Sequence, residues 1–108
     1  MSVADTKVEL AAMRAQALSV WLRLTMAQRA ALRRAIVENG KPRLHHMTHK
    51  RVADCMTSQG RELVERRESA VTRMPYYPLT PSGALVREVG LAHEAAEAKR
   101  SYRKRRAS

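Results

Sequence analysis

Residues 63–83 constrain this chain more than any other stretch. Leu63-Val64-Glu65-Arg66-Arg67 and Tyr76-Tyr77-Pro78-Leu79 are short β-prone runs, and the residues between them, 68–75, are polar and carry Arg73. Two such runs around a polar loop read as a hairpin. Thr80-Pro81-Ser82-Gly83 then opens a helix. Thr80 is its cap, and Pro81 takes the first helical position, where a missing N–H costs nothing. The competing reading continues the preceding helix through Arg67, because Arg61-Glu62-Leu63-Val64-Glu65-Arg66-Arg67 has fair helix propensity. Pro78 cannot donate to a ladder, so the second strand is expected at an edge or only part-paired.

Three pieces with helical spacing precede this run. Residues 5–22 place Leu10, Met13, Ala17, Leu18 and Trp21 on one face, with Lys7, Arg14 and Gln16 elsewhere. Thr25-Met26-Ala27-Gln28 fits a capping box. The helix it opens continues its apolar side through Leu32, Ala35 and Ile36. Arg29, Arg33 and Arg34 point away, as a solvated face or a phosphate-touching one. Asn39-Gly40 supplies the stop, since both residues tolerate left-handed backbone, and Pro42 prevents resumption.

The third piece starts at Thr48, another candidate cap, and ends at Gly60. Val52, Cys55, Met56 and Gln59 are expected to face inward. Lys50, Arg51, Asp54, Thr57 and Ser58 fall on or beside the opposite face. The final helix carries Leu85, Val89, Ala92 and Ala96 as a weak apolar stripe, with Gly90 weakening it slightly. Its length lets it dock against residues 5–22 of its own chain or of a second copy.

At 108 residues the chain is expected to form one domain, residues 1–98, followed by a basic tail, 99–108. Phe is absent and the aromatics are Trp21, Tyr76, Tyr77 and Tyr102, so the core is built from Leu, Val, Ala and Met. Cys55 is the single cysteine, which excludes an intramolecular disulfide and points to a reducing, cytoplasmic setting. No apolar run approaches membrane-spanning length. The net charge is +11, and over half of it comes from Lys99, Arg100, Arg103, Lys104, Arg105 and Arg106. Such a cluster attracts polyanions by releasing their counterions, without reading sequence. Solubilisation, or cations placed at a helix C-terminus, accounts for the same residues.

Enzymatic chemistry finds little support. His45, His46, His49 and Cys55 form the one metal-like cluster, but their spacing matches no common zinc module. Cys55 on an inward face is an inert thiol rather than a nucleophile. No Gly-rich phosphate loop or Ser/His/Asp constellation is present. The expectation is a non-enzyme with no cofactor and no metal.

Residues 48–60, then Leu63-Val64-Glu65-Arg66-Arg67, then Tyr77-Pro78-Leu79-Thr80-Pro81-Ser82-Gly83 resemble the winged-helix regulators of bacteria and their phages, closest to the MarR- and PadR-like style. In those proteins a recognition helix ends in Gly, a strand follows, and the wing returns into a Leu-Thr-Pro-x-Gly helix start. This chain departs in two places. Arg61-Glu62 intervene before the first wing strand, and residues 40–47 leave little room for the short helix that normally precedes the recognition helix.

The resemblance implies a mainly α fold with a small β-hairpin, a winged helix-turn-helix with N- and C-terminal flanking helices. It implies a DNA-binding transcriptional regulator, dimeric through those flanking helices. Lys50, Arg51, Thr57 and Ser58 would then face the major groove, where Arg, Ser and Thr reach base edges, and Thr48 and His49 would join the nucleic-acid-binding residues. Arg66, Arg67 and Arg73 on the wing, and the six cations of residues 99–106, would contact backbone. Two other classes stay open: an RNA-bound, ribosome-associated basic protein, and a phage or plasmid protein that uses the scaffold to bind and inhibit a host protein.

Overall fold

The computed structural model describes residues 3–57 and 62–107. In chain order the elements are α1 (Val3–Arg23), α2 (Met26–Arg33), β1 (Ile36–Glu38), β2 (Lys41–Arg43), α3 (Lys50–Thr57), β3 (Arg67–Glu68), β4 (Pro75–Tyr76) and α4 (Pro81–Ala107). The architecture is mainly helical with small antiparallel β-structure, as the hydrophobic periods predict.

α1 and α4 form the frame. Met13 and Gln16 lie beside Ser82 and Leu85, and Trp21 lies against Gly90, so the two helices run parallel. Ala17, Trp21, Val86 and Val89 are buried along the seam. The α1 stripe is only half used. Leu10 and Met13 are each 54% exposed: Met13 only borders Ser82 and Leu85 at the start of α4, and the buried positions of the seam begin at Ala17. α4 runs unbroken through Gly90, and its last turns carry the basic cluster.

α2 closes the core from the side. Its capping box is formed as the sequence predicts: the Gln28 amide donates to Thr25 Oγ1 at 3.1 Å, and the Thr25 amide donates to Gln28 Oε1 at 3.0 Å. Leu32 is fully enclosed among Trp21, Leu44, Met56 and their neighbours.

α2 is shorter than expected. It ends at Arg33, and Ile36–Glu38 pairs antiparallel with Lys41–Arg43. Asn39 (φ 52°) and Gly40 (φ 74°) are the two central residues of that hairpin turn, not a helix stop. Both have positive φ, as a two-residue turn matched to strand twist requires. The expectation of a single hairpin is corrected in the same way, since residues 36–43 form one of their own.

The later hairpin is present in pieces. β3 pairs with β4, and Val64 forms an isolated bridge with Leu79. Residues 77–80 are not an edge. The Leu44 amide donates to the Tyr77 carbonyl (2.9 Å) and the Leu79 amide to the Pro42 carbonyl (3.0 Å) on one side. On the other, the Glu65 amide donates to the Pro78 carbonyl (2.9 Å) and the Thr80 amide to the Leu63 carbonyl (3.0 Å). Pro78 accepts but cannot return a bond, so the pairing here is partial. The outcome is a ribbon in the order β1, β2, 77–80, 63–65 that links the two hairpins. It also excludes a continuous helix through Arg67.

Candidate nucleic-acid interface

α3 is held from three directions. Ala53 and Met56 are buried and Val52 packs on the core. The Tyr77 hydroxyl donates to Asp54 Oδ1 at 3.2 Å, tying the middle of α3 to the strand after β4. Burial, then the hydrogen bond to the Asp54 carboxylate, raises the Tyr77 phenol above its ordinary value of 10.0, with nearby Arg66 opposing. At the far end, the Leu63 amide donates to the Met56 carbonyl at 2.9 Å.

The N-terminal cap differs from expectation. Thr48 sits in a turn, its amide donating to the His45 carbonyl. His49 does the capping: its Nδ1 accepts from the Arg51 amide at 3.2 Å, and its carbonyl accepts from the Ala53 amide. An acceptor on the residue just before the helix, reaching the amide two positions on, satisfies a helix start much as an Asn or Ser would. Sequence preference pointed to Thr48 because His is an uncommon cap.

Lys50 and Arg51 are exposed at the start of α3, and neither side chain has an ion pair among the described residues. Cys55, expected inward, is exposed, and Ala53 takes the buried position instead. Thr57 turns its hydroxyl back on its own helix, donating to the Asp54 carbonyl at 2.7 Å. Ser58, Gln59 and Gly60, together with Arg61, lie outside the described residues.

Across from the C-terminal end of α3 runs the first strand of the later hairpin. Thr57, Glu62, Val64, Glu65, Arg66 and Arg67 line one open depression, so the helix end and the strand share a face. Arg66 is exposed. Arg67 is not equally available, since its guanidinium holds Glu65 Oε2 at 2.9 Å. Arg73 is exposed at the loop tip with φ 56°.

The arginines of α2 divide. Arg29 caps α1: its Nε donates to the Trp21 carbonyl (3.1 Å) and its Nη2 to the Leu22 carbonyl (2.9 Å), over the indole face. Arg33 makes a two-pronged pair with Glu94 of α4 at 3.0 and 2.9 Å. Both are structural clamps; Arg34 is exposed. Neither role is visible from helical spacing, which only says that these side chains leave the apolar stripe.

Lys99, Arg100, Arg103, Lys104, Arg105 and Arg106 are all exposed and project on the last turns of α4. Local contacts there are loose: Arg100 lies 3.9 Å from Glu97, and Arg106 lies over the Tyr102 ring. The described residues hold no group of three or more His, Cys, Asp or Glu able to bind a metal, and no helix long and apolar enough to cross a membrane. Comparison of the chain with protein-family models, curated proteins and solved structures gives no match.

Proposed function

We propose that this is a DNA-binding protein of winged-helix type, acting as a transcriptional regulator, with α3 entering the major groove and the 69–74 loop beside it. The observation that carries this reading is the outward face of α3. Lys50 and Arg51 stand exposed, with no ion pair among the described residues, at the start of a helix whose opposite face is locked into the core. A helix held rigidly on one side with cations on the other can dock on phosphates and present Arg to guanine edges. Arg66, which shares a depression with Thr57 at the far end of α3, and Arg73 in the 69–74 loop are exposed cations as well.

A second copy fits the exposed half of α1. Every described side chain from Thr6 to Gln16 is exposed, including Val8, Leu10 and Met13. The radius of gyration, 16.3 Å, exceeds the roughly 13 Å of a compact domain this size. A homodimer built on this exposed face would carry two copies of α3, one for each half-site.

The RNA reading has its own support in α4, whose six terminal cations are exposed and suit any polyanion. Selection of bound sequences from random duplex DNA, with a structured RNA as competitor, separates the two. Enrichment of a defined duplex motif supports the regulator. Preferential binding of RNA, or no binding to either, overturns it, and the last result moves a protein partner ahead.

A further inference from the structure

Residues of both hairpins line a single depression of about 650 Å³, within the roughly 300–1,000 Å³ typical of small-molecule sites. Glu38 and Arg43 come from the first hairpin, His45 and His46 from the turn that leads to α3, and Met74 and Tyr76 from the second hairpin. The two sides are fixed to each other. The Leu44 amide donates to the Tyr77 carbonyl at 2.9 Å, and both residues are buried members of the same lining. The depression is therefore formed before any ligand arrives.

Its lining combines aromatic faces with a polar edge. The rings of His45 and His46 are stacked, with centroids 4.1 Å apart and planes 27° from parallel. His45 Nδ1 accepts from the Met47 amide at 3.0 Å, which holds that ring in place. His46 is exposed, so the second face of its ring meets solvent. Tyr76 adds another ring, and Met74, 65% exposed, adds a thioether that packs well on aromatic rings. Beside them Arg43 Nη2 donates to Glu38 Oε1 at 2.8 Å. That bond, with the guanidinium charge, holds the Glu38 carboxyl below its ordinary value of 4.5, so it is an acceptor at neutral pH. The pair still has a second carboxylate oxygen to accept and further guanidinium N–H groups to donate.

A nucleobase matches this combination. Bases stack on aromatic side chains through their faces, and a purine edge such as adenine N6–H and N7 sets a donor beside an acceptor. An aliphatic ligand would leave the ion pair's remaining groups unused. We propose that the depression binds a single purine base, stacked on His46 and hydrogen-bonded at its edge by Glu38 and Arg43. The base belongs to a free nucleotide or to an unpaired nucleotide in a strand, and the net charge of +11 favours either anion. A paired base inside a duplex is closed to such stacking, so the site is independent of the major-groove reading of α3.

The test follows the ring protons of His45 and His46 by NMR on the full chain. The probes are adenosine, guanosine and uridine monophosphates, a hairpin duplex ending in one unpaired 3′ adenosine, and the same hairpin with a blunt end. Stacking is expected to move the His46 ring protons upfield, saturably, with a purine monophosphate or the overhang, and uridine monophosphate should bind more weakly. Saturation by the free monophosphates identifies a free nucleotide as the ligand, and saturation by the overhang alone identifies an unpaired nucleotide in a strand. His46→Ala, at an exposed position, should weaken the responding purine probe by about fivefold or more, read from the amide shifts of Glu38, Arg43 and Tyr76. Ring shifts as large with the blunt hairpin as with the overhang, or none with any probe, overturn the site. So does purine binding undiminished in His46→Ala, or uridine binding as tight as purine binding. A blunt duplex that binds without moving these rings leaves the α3 reading intact.

Discussion

The indole of Trp21 lies directly on the backbone of Gly90, so closely that a Cβ at residue 90 would clash with the ring carbons Cδ2, Cε3 and Cε2. Trp21 is 1% exposed and Gly90 is in the middle of α4. Glycine inside a helix ordinarily costs stability relative to alanine, by about 1 kcal/mol. At this position the sign reverses, because the residue's lack of a side chain is what lets two long helices approach.

Gly90→Ala should therefore destabilise the fold despite its better helix propensity. Overpacking a filled site costs about 1–3 kcal/mol, and each kcal/mol lowers Tm by roughly 4–8 °C at this chain length. A thermal melt followed by circular dichroism measures it, and an unchanged or raised Tm contradicts the packing described.

Arg29→Ala and Arg33→Ala should differ. Arg29 donates to two end carbonyls of α1, and its loss is expected to cost about 1–2 kcal/mol by leaving them without that donor. Arg33 and Glu94 are partly exposed, and their loss should cost under about 1 kcal/mol. Urea denaturation of both variants gives the comparison.

Tyr77→Phe removes the bond to Asp54 and should cost about 1 kcal/mol near neutral pH. The folded state holds the phenolic proton more tightly than the unfolded chain does. That contribution is fully present below the ordinary tyrosine value and is lost as pH rises through the raised one. Stability measured from pH 8 to 11 should thus fall more steeply for the wild type than for Tyr77→Phe.

His49→Ala should shorten α3 and weaken the fold by about 1 kcal/mol, while His49→Asn restores most of it, Asn being a strong cap. If the α3 reading is right, Arg51→Ala lowers affinity for a selected site by about 1–3 kcal/mol and relaxes preference there, and Lys50→Ala weakens all duplexes evenly. Fluorescence anisotropy on matched and mismatched duplexes distinguishes the two effects.

Replacing Lys99, Arg100, Arg103, Lys104, Arg105 and Arg106 by Gln should flatten the salt dependence of nucleic-acid binding. Each phosphate no longer neutralised removes about 0.9 from the log–log slope, so the full set lowers it by up to about 5. Binding titrations at several salt concentrations report the slope. An unchanged slope means that the end of α4 stays clear of the polyanion.

Local chemistry was legible and distant pairing was not. Thr25 with Gln28, and Thr80 before Pro81, are caps whose signals lie within four residues, and both form: the Gly83 amide donates to Thr80 Oγ1 at 3.0 Å. Asn39-Gly40 gave an equally clear local signal with two meanings, a helix stop or a hairpin turn. Ile36 and Val37 before it are β-branched, which favours the hairpin, but three-residue strands are too short to show an alternating period. The bridge from Arg43 to Pro78 joins residues far apart in sequence and leaves no local trace. Leu10 and Met13 kept the periodicity of a buried face, yet both are more than half exposed, Met13 at the margin of the α1–α4 seam.

The parallel seating of α1 on α4 also fixes an order of events during synthesis. Trp21 leaves the ribosome 69 residues before Gly90, the surface it rests on. At about 5–20 residues per second, the nascent chain carries an unseated indole for roughly 3–14 s. α2 can form its own cap meanwhile, and the first hairpin its turn, but the frame that unites them cannot close until α4 has emerged.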